Sequence, residues 1–129
     1  MTKIRPNIYL GHEYDAHMDA VRINKVTASL NVAEDLNDPL YPIHKLITVK
    51  VGLSDDQKNN EQMIGLAVAT LANLLNQGHT VLIHCKAGMS RSPYILALYL
   101  SFKENRLFDE VWQELRKLRP EVSEKSKLA

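Results

Sequence analysis

Cys85 and Arg91 are separated by five residues in the run His84-Cys85-Lys86-Ala87-Gly88-Met89-Ser90-Arg91-Ser92. An apolar run, Val81-Leu82-Ile83, precedes it and Pro93-Tyr94-Ile95-Leu96-Ala97-Leu98 follows it. The first reads as a buried strand and the second as a helix, so the loop between them ends on a helix N-terminus. Backbone N–H groups of such a loop converge on one point, and the positive end of the helix dipole faces the same point. That is a trap for an anion. The dipole and Arg91 favour the thiolate of Cys85, the nucleophilic form of a thiol. Arg91 adds a planar fork able to grip two oxygens of a phosphate at once. A structural cysteine at a strand end is the bland alternative, but it does not require His, Cys, Gly, Arg and Ser at these fixed offsets.

Breaking a phosphate ester also needs a proton donor for the departing oxygen, and a carboxyl group is the usual choice. Asp55 and Asp56 follow an alternating segment and emerge at a strand end that can face the Cys85 loop. A solvated turn ahead of a helix explains aspartates equally well, since they favour the dipole there. Other residues offer less. His12 and His17 are five apart, which puts them on different faces of a helix, and no set of Cys and His ligands accompanies them. No metal site and no cofactor are expected. Gly52 and Gly65 lack the Gly-Lys that completes a nucleotide loop. Trp112 and Phe108 sit at helical spacing and read as core, and His79 as a surface residue before the strand.

Elements able to position these groups can be read along the chain. Ile8-Tyr9-Leu10 is a short strand and residues from about Tyr14 to Asn24 a modest helix. Val26 to Val32 is a second strand, and residues 34 to 44, with two prolines, a loop lining the pocket. Lys45 to Val51 alternates with period two, as a strand does. Asn59 is placed to cap a helix, with Gln62 three residues on. Ile64, Ala67, Val68, Leu71, Leu74 and Leu75 then repeat at helical spacing until Gly78. A helix from about Ser90 to Lys103 follows the Cys85 loop. Phe108, Val111, Trp112, Leu115 and Leu118 mark a last amphipathic helix before Pro120, and residues from about 121 to 129 form a polar tail. Strands alternating with helices predict one α/β domain over 1–129, a small, largely parallel sheet flanked by helices, with its site at the carboxyl ends of the strands.

Composition agrees with a globular domain. Of 129 residues, 45% are apolar and 24% charged, and the formal net charge is +1. No basic stripe invites nucleic acid, no apolar run approaches a bilayer span, and Met1-Thr2-Lys3-Ile4-Arg5-Pro6 lacks the apolar stretch expected of a signal peptide. A lone cysteine acting as a nucleophile needs a reducing compartment, so the cytoplasm is expected.

His84-Cys85, five residues, then Arg91-Ser92 resembles the signature of the cysteine-dependent protein tyrosine phosphatase superfamily. The run from Val81 to Ser92 is most similar to its dual-specificity branch. Ile8-Tyr9-Leu10-Gly11 followed by Ala16 resembles that family's opening strand and first helix, and Ser29-Leu30-Asn31-Val32-Ala33 its second strand. Leu53-Ser54-Asp55 followed by Asn59 resembles the strand end bearing the family's general acid, and Leu118-Arg119-Pro120 its closing helix. The resemblance covers roughly residues 4 to 120. It implies that Cys85 attacks phosphorus, that Arg91 and the amides of Lys86, Ala87, Gly88, Met89 and Ser90 hold the phosphate oxygens, and that Asp55 protonates the leaving oxygen. Asp56, where relatives often have glycine, stays as the alternative acid. Ser92 is implied to donate to the departing thiolate, His84 to support the loop, and Asn31 to hydrogen-bond to it. The substrate implied is a phosphorylated protein or peptide, bearing phosphotyrosine and also phosphoserine or phosphothreonine. The same chemistry could serve a phosphoinositide, a sugar phosphate or RNA. Low-molecular-weight phosphatases and arsenate reductases share the cysteine–arginine spacing but carry it near the N-terminus, rhodaneses use a shorter loop, and non-catalytic phosphate-binding modules usually lose the Cys or the Arg.

Overall fold

Val81–His84 is buried at every position and is the central strand of a five-stranded sheet. The computed structural model describes residues 1–38, 45–56, 59–126 and 128. In chain order the strands are β1 (Thr2–Arg5), β2 (Ile8–Gly11), β3 (Ala28–Ala33), β4 (Ile47–Leu53) and β5 (Val81–His84). The helices are α1 (Met18–Ile23), α2 (Glu61–Asn76), α3 (Arg91–Glu104) and α4 (Phe108–Leu118). The sheet order is β1-β2-β5-β3-β4, parallel throughout except for β1 against β2. β5 is paired on both sides, Gly11 opposite His84 on β2 and Asn31 opposite His84 on β3. Three parallel strands therefore end together where the Cys85 loop begins. This is the expected α/β domain with a largely parallel sheet.

Strand alternation divides the apolar residues between two faces. Val81 and Ile83 join the main core with Leu30, Leu71, Ile95, Leu96 and Leu115. Leu82 points the other way, against Ala16, Val21 and Val26. Helix α2 forms where its apolar stripe demanded, burying Ala67, Leu71, Leu74 and Leu75, and it stops at Gly78, whose φ is +87°. Helix α4 buries Val111, Trp112 and Leu115. Around Arg5, Glu104, Arg106 and Glu114 form an ion-pair network at 2.6 to 3.0 Å that ties β1 to the α3–α4 corner.

Several boundaries differ from the sequence reading. Strand β1 was not expected: only Ile4 of its four residues is buried, so it carries no alternating apolar signal. The helix expected from Tyr14 to Asn24 is a single 3-10 turn, Glu13–Asp15, followed by the short α1. His12 and Asp15 cap that turn reciprocally, and the chain then leaves helical geometry at Ala16 before restarting after His17. The cap of α2 is Asn60, which accepts from the Met63 N–H at 2.8 Å, and not Asn59. β4 begins two residues later than expected because Lys45 has φ +63°, outside strand geometry. The polar tail is not merely solvated. Val122 and Leu128 are buried in the main core, and the Trp112 indole N–H donates to the carbonyls of Ser123 and Glu124. Residues 39–44, most of the loop expected to line the pocket, lie outside the described residues.

Candidate active site

The Cys85 thiol emerges from the carboxyl end of β5 with only 2% of the residue exposed. Two hydrogen-bonding groups reach its Sγ: the Gly88 N–H donates at 3.2 Å, and Ser92 Oγ lies at 3.2 Å. The loop curls back far enough for this because Gly88 has φ +71°, a conformation other residues rarely adopt. A Cβ on Gly88 would also stand 2.6 Å from the Gly11 carbonyl oxygen at the end of β2. Neighbouring segments clamp the loop at both ends. The Glu13 N–H donates to the Lys86 carbonyl at 2.9 Å, and the Ser123 N–H to the Met89 carbonyl at 2.8 Å. Beneath, buried Arg119 donates to the Leu10 carbonyl and Thr2 Oγ1.

Ser90 takes the N-cap position of α3 without capping it by its side chain. The first turn's N–H groups therefore add to the anion-attracting character of the loop. Arg91 opens the helix almost fully buried, and its Nη1 donates to Asp35 Oδ1 at 2.5 Å and to the Leu53 carbonyl at 3.0 Å. Asp55 Oδ1 lies 3.8 Å from Arg91 Nε. Hydrogen bonding to Arg91 holds the Asp35 carboxyl below the usual carboxylate range. His84 is buried, with Nδ1 at 3.3 Å from the Cys85 carbonyl and, among the described residues, no hydrogen-bond partner at Nε2. Burial pushes its pKa down, which favours the neutral imidazole.

These groups surround a pocket of about 760 Å³ lined by Cys85, Lys86, Ala87, Met89, Ser90 and Arg91. Asp55 lines it as well, whereas Asp56 does not. The turn after β4 accounts for the difference. Asn59 clasps it, accepting from the Ser54 N–H at 2.7 Å and donating to the carbonyls of Ser54 and Asp56, while Ser54 Oγ lies 3.1 Å from Asp56 Oδ1. Asn31 bonds to a neighbouring turn rather than to the Cys85 loop: its Oδ1 accepts from Ala33 N–H and its Nδ2 donates to the Leu36 carbonyl.

Sequence reasoning missed four lining residues. His12, Glu13 and Tyr14 belong to the 3-10 turn and its cap beside β2, and Ser123 to the tail. Asp35 lies in the loop expected to line the pocket, and its place after β3, the strand next to the cysteine's own, is the one clue that could have singled it out there.

A family model described as the dual specificity phosphatase catalytic domain matches residues 8–129. Protein phosphatase Slingshot homolog 3 of Homo sapiens is 30% identical over 128 residues, which is 92% of this chain and 18% of that protein. Dual specificity protein phosphatase 1 of Arabidopsis thaliana is 29% identical over 124 residues, 93% of this chain and 61% of that one. The chain thus spans less than a fifth of the Slingshot proteins it matches, 14% in Xenopus laevis and 18% in Homo sapiens. Among solved structures, human DUSP28 shares the fold with a TM-score of 0.84 at 19% identity, covering 99% of this chain and 90% of that one. The chain belongs to the dual specificity phosphatase catalytic-domain family.

Proposed function

We propose that this domain hydrolyses phosphomonoesters on proteins, phosphotyrosine foremost and phosphoserine or phosphothreonine besides, through a phosphocysteine. The single observation that carries this reading is the Cys85 sulfur, set between the Gly88 N–H and Ser92 Oγ in the pocket that Arg91 also lines. Thiolate attacks phosphorus as the ester P–O bond breaks, and Asp55 gives its proton to the leaving oxygen. The loop amides and Arg91 neutralise the equatorial oxygens, so the charge is met without recourse to a metal. Water then attacks the phosphocysteine, losing a proton to the Asp55 carboxylate. Inorganic phosphate leaves, and Ser92 donates a hydrogen bond to the released sulfur. A protein substrate suits the rim better than a phosphoinositide, because Glu13, Asp35 and Asp55 line the pocket and would repel a polyanionic headgroup. Basic residues beside the phosphorylated one would be favoured for the same reason. A working thiol also suits a reducing compartment, and we assign the domain to the cytoplasm.

The deciding experiment is turnover of a nitrophenyl phosphate, then of a panel of phosphopeptides, phosphoinositides and nucleotides, by the unaltered protein and by Cys85→Ser. An alcohol is not ionised near neutral pH, so the variant should keep its fold and its affinity for tungstate while losing turnover altogether. Near-normal turnover by Cys85→Ser ends this reading, and preferred hydrolysis of a phosphoinositide replaces its substrate.

A further inference from the structure

Among the described residues Arg91 hydrogen-bonds through one nitrogen only. Its two hydrogen bonds both leave from Nη1, one to Asp35 Oδ1 at 2.5 Å and one to the Leu53 carbonyl at 3.0 Å. That nitrogen has two protons, so these acceptors use it up. Nε, by contrast, is buried without a hydrogen-bond partner among the described residues, with Asp55 Oδ1 at 3.8 Å. A bidentate hold on a phosphate takes two N–H groups from one edge of the guanidinium. With Nη1 occupied, the edge left for the anion is the one formed by Nε and Nη2.

Asp35 is itself held. The Asn31 side chain bonds to Ala33 N–H and to the Leu36 carbonyl, on either side of Asp35, and the Leu36 N–H closes the turn onto the Ala33 carbonyl at 3.3 Å. Buried Asn31 thus fixes the turn, and the turn delivers a carboxylate to the far end of the arginine. We propose that Asp35 is a positioning residue that orients Arg91 for bidentate phosphate binding, with Asn31 as its support. This rests on the phosphatase reading. It also competes with another possibility on the same geometry, that Asp35 is an anion the substrate must displace from Arg91.

The two make opposite predictions for binding of tungstate, a phosphate analogue, titrated calorimetrically into the intact protein. If Asp35 orients Arg91, Asp35→Ala weakens tungstate binding by about tenfold to a hundredfold, the usual worth of a hydrogen bond to a charged group. KM for nitrophenyl phosphate rises in step. Asp35→Asn keeps an oxygen acceptor at the same place and stays within about threefold of the unaltered protein. Asn31→Ala, further removed, gives an intermediate loss. Asp35 is half-exposed, so both of its variants should fold, and melting temperatures check this for them and for the variant of buried Asn31. Tighter tungstate binding by Asp35→Ala and Asp35→Asn together would make Asp35 a competing anion and overturn the proposal. So would unchanged binding by Asp35→Ala, or equal losses in the Ala and Asn variants. An unaltered protein that neither binds tungstate nor hydrolyses the ester fails the proposed function itself, and the role of Asp35 with it.

Discussion

At the scale of single residues the site divides into groups that touch the reacting atoms and groups that aim them. Asp55 is expected to be one of the first. Asp55→Ala should lower turnover of phosphotyrosine by roughly two to three orders of magnitude, the usual contribution of a general acid. The loss should be much smaller for a nitrophenyl ester, whose leaving group needs little protonation. Asp56→Ala should show neither effect, since Asp56 turns inward to Ser54 while Asp55 faces the pocket. The opposite result, read from leaving-group dependence in both variants, would move the acid by one position. Cys85 also faces an oxidative risk that follows from its being the chain's one cysteine. A brief peroxide pulse should stop turnover and add oxygen to Cys85 without any internal disulfide. Tungstate in the pocket should slow the loss and added thiol should partly reverse it, and intact-mass measurement distinguishes these products. An unmodified thiol beside full activity would contradict its assignment as the nucleophile.

At the scale of elements, the site is where β5, the loop and α3 meet, and Gly88 is the joint. Gly88→Ala would have to hold φ near +71° and put a methyl group against the Gly11 carbonyl. We expect a stability loss of about 1 to 3 kcal/mol and a larger fall in tungstate affinity, because the Gly88 N–H that faces Cys85 must move. Thermal melting and calorimetry on the same sample check both. This loop was legible in the sequence because its chemistry is contiguous: cysteine, glycine, arginine and serine stand within eight positions. Helices α2 and α4 were legible because one apolar stripe each decides their burial. Less could be read where the deciding partner is distant. Asp35 is one of two aspartates, with Asp38, in the loop after β3 until the β3–β5 pairing brings its turn to Arg91. Asn59 and Asn60 are interchangeable caps on paper, and only the turn that presents Asp55 assigns one to it and the other to the helix. Strand β1 and the tail hide for a related reason, since Ile4, Val122 and Leu128 are single apolar residues whose burial depends on the assembled core.

At the scale of the whole molecule, the charges set how the fold should respond to acid. His84 is a base whose pKa burial pushes down, so the unfolded chain takes up that proton first, near its ordinary value of about 6.5. Its contribution is complete above that value and is lost as pH falls below it. Glu104 is held down at about 2 by its hydrogen bond to Arg5, and Glu114 is lowered by the same partner. Those contributions are present above the ordinary carboxylate range and vanish as pH falls from there toward 2. Urea midpoints measured from pH 8 to pH 3 should therefore decline in two stages, and His84→Asn should flatten the upper one. A single decline confined to the acid end would show that His84 is protonated in the folded protein.

The sheet order has a consequence in time as well as in space. During synthesis β2 and β3 leave the ribosome well before β5, yet β5 is the strand that must slip between them. Until it arrives, β2 and β3 each present an unpaired edge, and the nucleophile that follows β5 has no pocket to enter. Long-range parallel pairing of this kind is slow to form and exposes edges to wrong partners meanwhile. The nascent domain should thus pass through an interval in which it is both inactive and prone to aggregate, and that interval closes with a single insertion that completes the core and creates the phosphate site together.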